Sequence, residues 1–110
     1  SKPTQMPVIS SNMDSVIKCL KGSSVSLSVK ITGEPAPRVT WTRDCVDTRN
    51  IDGTSQNDSG DILDIEAVTE ETEGKYTVTA TNTAGRATKS VQVQMVNNEQ
   101  VFAAYKKFEK

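Results

Sequence analysis

The sequence predicts an all-β protein, an antiparallel sandwich of short strands, on three observations. Apolar residues recur at every second position in several short runs, turn residues separate those runs, and no helical pattern interrupts them before residue 98. Alternation at period two marks a strand with one buried face, and many such strands without helices between them close into a sandwich or a barrel. Pattern alone favours the sandwich.

Taken in order, Pro7-Val8-Ile9 and Val16-Ile17 read as a split edge strand. Residues 23–33 alternate without a fault, with Val25, Leu27, Val29 and Ile31 on one face. That strand starts after Lys21-Gly22 and stops at Gly33-Glu34-Pro35-Ala36-Pro37, where two prolines cannot donate to a ladder. Val39-Thr40-Trp41 follows as a second strand with the single tryptophan. Residues 44–60 are polar, and Asp47, Asn50, Asp52, Gly53, Asn57, Asp58 and Gly60 punctuate them, so they read as loops around one short strand. Asp61 to Ile65 places Leu63 and Ile65 on one face, with Val68 packing beneath the next corner. Gly74 to Ala80 turns Tyr76, Val78 and Ala80 inward. Asn82-Thr83-Ala84-Gly85 then supplies a turn into residues 87–96, where Val91, Val93 and Met95 recur at spacing two.

The last segment has a different period. Val101, Tyr105 and Phe108 fall at i, i+4 and i+7 with lysines opposite, which is a helical stripe. The expected division is a linker over 1–6, one domain over 7–97, and a tail over 98–110 that is a helical linker, a loose end, or a segment folded back on the domain. If the tail docks on a partner, Phe102, Tyr105 and Phe108 are the candidate anchors.

At 110 residues the chain fits one hydrophobic core, and folding should hide roughly 65% of the surface of the unfolded chain, enough without metal or disulfide staples. Apolar residues make up 35% and charged residues 25%, interspersed, which argues against disorder. With 13 basic and 14 acidic residues the net charge is -1, so no global field steers the chain to nucleic acid or anionic lipid. No apolar stretch approaches the roughly 20 residues that cross a bilayer, and the first residues lack the apolar run of a secretory signal. Histidine is absent, which removes the commonest general base and metal ligand.

Two segments carry a family resemblance. Gly33-Glu34-Pro35-Ala36-Pro37-Arg38-Val39-Thr40-Trp41 and Gly74-Lys75-Tyr76-Thr77-Val78-Thr79-Ala80-Thr81-Asn82-Thr83-Ala84-Gly85 resemble the intermediate (I-set) class of immunoglobulin-like domains. The resemblance covers about residues 7 to 96 and implies a Greek-key sandwich of seven to nine strands. It implies that Trp41 fills the core between the sheets and that the Tyr76 hydroxyl bonds back to the backbone upstream, with Val29, Leu63 and Val78 in the same core. Val29 and Val78 stand where extracellular members place the cysteines of the cross-sheet disulfide, which points to the cytosol, where thiols stay reduced. Thr72 stands where the family usually has an aspartate, which puts an ion pair at that corner in doubt. Among members without the disulfide, the chain is similar to domains of giant sarcomeric proteins of the titin, twitchin and obscurin type.

Other chemistry is weakly encoded. Cys19 and Cys45 fall on strands three steps apart in the expected sheet, about 14 Å, beyond the roughly 7 Å a bridge allows, so two free thiols are expected. No Ser-x-x-Lys segment offers a base to a nucleophile, and Gly53 and Gly60 are too sparse to cradle phosphate. Asp58, Asp61 and Asp64 read as a solvated turn rather than a calcium loop, because alternation sends Asp64 to the outer face of a strand. Asn57-Asp58-Ser59 is a glycosylation sequon that matters only in a secreted protein. Glu66, Glu70, Glu71 and Glu73 form an acidic corner. Exposed edges at residues 14–19 and 87–96 are candidate surfaces for strand addition.

The expectation is a non-catalytic structural and protein-binding module of a muscle scaffold, cytoplasmic and in the sarcomere at the M-band or A-band. No catalytic, metal-binding or cofactor-binding residues, no cofactor and no disulfide are expected. Partners would be other sarcomeric or cytoskeletal domains and neighbours in the same chain, with no nucleic acid, membrane or small-molecule substrate. Two alternatives are an extracellular adhesion or receptor domain and a regulatory module beside a kinase or exchange-factor domain.

Overall fold

The alternating segments pair into two facing layers in a computed structural model that describes residues 3–108. The strands are β1 (Gln5–Ser10), β2 (Val16–Leu20), β3 (Val25–Ser28), β4 (Lys30–Glu34) and β5 (Arg38–Arg43). Then come β6 (Val46–Asp47), a 3-10 turn over Thr48–Asn50, β7 (Thr54–Gln56), β8 (Ile62–Ile65), β9 (Gly74–Asn82) and β10 (Gly85–Val96), followed by helix α1 (Glu99–Lys107).

One layer combines β1 paired with β4 and the three-stranded order β3-β8-β7. The other is five-stranded, in the order β2-β10-β9-β5-β6. All pairs are antiparallel except β2 with β10, which is parallel. The split edge strand of the sequence therefore serves both layers, β1 in one and β2 in the other. The fold is an immunoglobulin-like β-sandwich.

Local differences from the sequence pattern have physical causes. The alternating run of residues 23–33 is not one strand, because Val29 leaves the ladder and its N–H donates to the Asp61 carbonyl at 2.9 Å. Residues 44–60 hold two short strands, β6 and β7, rather than one. The 3-10 turn between them is capped by Asp47, whose carboxylate accepts from the Arg49 N–H. Strand β1 opens at Gln5, which pairs with Glu34, so part of the segment expected as linker is strand.

The core lies between the layers. Trp41, Leu63, Tyr76 and Val78 are at most 1% exposed and Val29 is 6% exposed, all within one cluster that includes Leu27, Ile65, Val68 and Val93. Trp41 pairs with Val78 in register across β5 and β9. Two polar atoms enter this core and each has a partner. The Trp41 indole N–H donates to the Gly60 carbonyl at 2.7 Å, and the Tyr76 hydroxyl donates to the Thr72 carbonyl.

Gly60 has little alternative. Its φ of 80° is left-handed, and a Cβ there would stand 2.7 Å from the Val39 Cβ. Thr72 holds the other end of the core, buried itself, its hydroxyl donating to the Ala67 carbonyl at 2.6 Å and accepting from the Thr69 N–H at 2.9 Å. A neutral side chain thus organises the corner where an aspartate was the familiar choice. Arg43 donates to the Glu73 and Glu70 carbonyls instead of to a carboxylate.

Trp41→Phe strands the Gly60 carbonyl in the core and removes ring volume. Urea unfolding should show at least about 2 kcal/mol of lost stability. Burial pushes the Tyr76 phenol up to about 12, above the roughly 10 of an unfolded chain. The folded protein holds that proton longer, so the stabilisation is complete below pH 10 and is lost as pH rises from about 10 through 12. Urea midpoints measured from pH 8 to 11.5 should fall at the alkaline end in the parent, and fall less in Tyr76→Phe.

Candidate functional site

A sandwich of this kind offers function at its strand edges, its turns and its tail. The tail is the helix α1. Asn98 caps it, its side-chain oxygen accepting from the N–H groups of Gln100 at 2.8 Å and Val101 at 3.1 Å. Glu99 in the first turn and Lys106 and Lys107 in the last complement the helix dipole. Nine residues are too few for a helix to persist by itself in water, so docking matters. The helix rests against β2 and β10, and the Lys18 ammonium sits 4.7 Å from the centre of the Tyr105 ring. A cation over a ring is worth about 0.5–1 kcal/mol at an exposed site.

The face turned to the domain differs from the stripe that the spacing suggests. Phe102 and Tyr105 are half-buried, whereas Val101 is 60% and Phe108 85% exposed. Lys106 also lies over Phe102, at 5.8 Å from its ring centre. Of the three candidate anchors, two are engaged within the chain and Phe108 alone stands in solvent.

The candidate edges are also narrower than the sequence suggests. Residues Gln92 to Val96 of β10 pair with β2, and Gln92 and Val93 pair with β9 as well. Beyond the end of β9 the Glu73 carboxylate accepts from the Met95 N–H at 3.1 Å, extending the ladder with a side chain. What remains unpaired is the stretch Ala87–Val91 of β10, with β1 packed beside that strand, and the outer rim of β2, with Val16 exposed.

Cys19 is buried on β2 and Cys45 exposed in the two-residue turn after β5, and both are free thiols. Strands β10 and β9 separate the two. Burial pushes the Cys19 thiol up, opposed in part by the charge of Lys106. Asp44 and Cys45 carry the turn at φ of 48° and 72°, and the Asp44 carboxylate accepts from the Lys75 N–H at 3.0 Å.

The aspartates near residue 60 face protein donors. Asp61 accepts from Asn57 at 2.6 Å and from Ser59 at 2.8 Å, which holds its carboxyl below the usual range, and Asp64 accepts from Ser26. Among the described residues no group of three or more His, Cys, Asp or Glu side chains is placed to hold a metal ion. The sequon asparagine is the hub of this turn, its amide donating to Asp61 and its oxygen accepting from the Ile62 N–H at 3.0 Å.

Three features were missed in the sequence: the Asn98 cap, the Lys18–Tyr105 contact, and Gly60 as acceptor for the indole. Only the first had a signal, an asparagine directly ahead of a helical run. Of the two thiols, Cys45 should react with a disulfide reagent in the folded protein at the rate of an exposed thiol. Cys19 should be slower by about tenfold or more and should react fully only on unfolding, a contrast that absorbance of the released thiolate measures.

Comparison with known proteins places this geometry. A family profile for the immunoglobulin I-set domain matches residues 7–95. A titin homolog of Caenorhabditis elegans is 34% identical over 89 residues, 79% of this chain and a share of that protein that rounds to 0%. Vascular endothelial growth factor receptor 2 of Mus musculus is 36% identical over 88 residues, 80% of this chain and 6% of the receptor. Among solved structures, the titin domains z1z2 in complex with telethonin superpose with a TM-score of 0.74 at 30% identity, covering 88% of this chain and 51% of that one. The chain spans only a small part of the relatives it matches. Among the described residues no helix is long and apolar enough to cross a membrane. The matched profile, the two-layer strand order and the buried Trp41 and Tyr76 agree, and the chain belongs to the immunoglobulin I-set domain family.

Proposed function

We propose that the domain is a non-catalytic structural and protein-binding module of a multidomain muscle scaffold, working in the cytoplasm at the sarcomere, in the M-band or A-band. The observation that carries the reading is the pair Val29 and Val78, both buried in the core cluster at the positions where extracellular relatives carry cysteines. Fully burying two valines contributes about 3 to 6 kcal/mol, comparable with the 2 to 4 kcal/mol of a typical disulfide. Such a core is at no disadvantage where thiols are reduced. Similarity to a titin homolog supports the tissue.

Partners would be other sarcomeric or cytoskeletal domains and neighbours in the same chain. Binding would use the open rim of β2, the stretch Ala87–Val91 of β10, and the exposed side of α1 around Phe108. The titin domains z1z2 in their complex with telethonin are a precedent for protein binding by relatives.

The receptor similarity and the sequon favour a second reading, an extracellular domain. Against it stands the engagement of the Asn57 amide with both Asp61 and Ser59, because a glycan would take the place of one of its two N–H donors. An antibody to the domain should stain permeabilised striated muscle in bands at the sarcomere repeat. Staining of intact cell surfaces, with a glycan on Asn57 by mass spectrometry, would move the domain outside the cell. A pull-down from muscle extract should retain at least one sarcomeric partner when residues 98–110 are removed; loss of every partner would shift binding to the tail.

A further inference from the structure

We propose that the outer face of the five-stranded sheet is a docking surface for an extended acidic segment of a partner protein. The surface is distinct from the strand edges and from the exposed side of α1. Register places its outward side chains in rows. Arg38, Thr81 and Arg86 align across β5, β9 and β10 at one end. Next come Thr40, Thr79 and Thr88, and then Thr42, Thr77 and Ser90, with the Thr77 and Ser90 hydroxyls 2.9 Å apart. Lys75 and Gln92 make the following row, and Lys18 pairs with Gln94 beyond it.

No outward position within β2, β5, β9 or β10 carries a carboxylate, although Asp44, just past the end of β5, stands opposite Lys75 and accepts from its N–H at 3.0 Å. On the β6 margin Asp47 is already neutralised by Arg49 at 2.8 Å. The layer opposite differs, with Asp64 at the centre of its outer face between Ser26 and Ser55. A chain of net charge -1 therefore gathers cations and hydroxyls on one flat face. Among the described residues the ion pairs are Lys21–Glu70 and Arg49–Asp47, and the side chains of Arg38, Lys75 and Arg86 join neither. Arg38 and Arg86 are held ready for a charge from outside, while Lys75 has Asp44 beside it and Lys18 is turned to Tyr105.

Geometry selects the partner. Arg38 and Arg86 are two strand spacings apart, about 10 Å, and Lys75 lies about 20 Å further along the strands, six residues from Thr81. Between these ends the threonine rows offer hydroxyl donors, which carboxylates accept as well as they accept guanidinium N–H groups. An extended peptide spans that gap in about six residues, so carboxylates about six residues apart meet both ends at once. Nucleic acid fits less well, because no aromatic residue stands at an outward position for a base to stack upon.

The test is a titration of the full, isotopically labelled chain, followed by amide NMR shifts. The probe is a peptide with a glutamate pair at each end of a Gly/Ser spacer of about six residues. Saturable shifts confined to β5, β9 and β10 are expected, with affinity falling as salt rises. Arg38→Glu with Arg86→Glu should weaken binding about tenfold or more, while Lys30→Glu on the opposite layer should change it less than about twofold. If the double variant fails to give a folded spectrum, Arg38→Gln with Arg86→Gln serves, with a smaller loss. Unchanged affinity in the folded double variant, shifts elsewhere, or no binding overturns the proposal. So does tighter binding of oligothymidylate, or of phosphatidylserine vesicles, at the same face.

Discussion

A buried indole must place its N–H against an acceptor, and much of this sandwich is arranged around that requirement. Trp41 is 1% exposed, and the acceptor it finds is the carbonyl of Gly60, 19 residues later and in the facing layer. The backbone reaches that spot only in a left-handed conformation pressed against Val39, which leaves room for no side chain. Asn57, Ser59 and Asp61 then hold the turn in shape through hydrogen bonds among themselves, and the Asp61 carbonyl accepts from Val29 where the long strand breaks. One polar atom in the core thus ties together β5, the turn before β8, and the junction of β3 with β4.

Tyr76 imposes the same kind of demand at the other end of the core. Its hydroxyl needs the Thr72 carbonyl, and Thr72 can present it because its own hydroxyl is bonded within the corner, to Ala67 and Thr69. A threonine replaces an ion pair here with a neutral network that has no charge to desolvate, and buried charges are costly unless well paired. With Val29 and Val78 packed in the same cluster, the two layers are held by burial and by directed hydrogen bonds such as Trp41 to Gly60 and Asn82 of β9 to the Gln5 carbonyl of β1, without a covalent link.

Legibility in the sequence followed the physics of each element. The strands with strict alternation, around Leu27, Leu63, Tyr76 and Val91, were readable because one buried face dictates every second residue. Residues 44–60 were not, because two- and three-residue strands are too short to show a period, and their position is set by side-chain bonds such as Thr54 to the Thr48 carbonyl. The break at Val29 was invisible for a different reason, since the side-chain pattern continues across it while the backbone changes partner. Of the candidate site residues, the core group was legible from the motif around Trp41 and Tyr76. The tail anchors were legible as a helix but not in their orientation, which depends on Lys18, a residue 87 positions before the Tyr105 it contacts.

That orientation bears on what the tail can do. Successive helical residues point about 100° apart, so Phe108, Val101, Tyr105 and Phe102 spread over one arc of about 120°; the domain meets the Phe102–Tyr105 side of that arc and leaves Val101 and Phe108 exposed. It lies against the end of the sandwich, and the molecule measures 57 Å in its longest dimension against 32 and 19 Å in the others, with a radius of gyration of 15.5 Å where about 13 Å suits a compact domain of this length. A segment that only sealed the domain would bury its apolar residues; this one is capped, anchored through Phe102 and Tyr105 with Lys18 over the Tyr105 ring, and left with Phe108 in water. The contact that holds α1 in place therefore uses one part of its apolar arc and leaves the rest, Val101 and Phe108, where another protein surface can reach it.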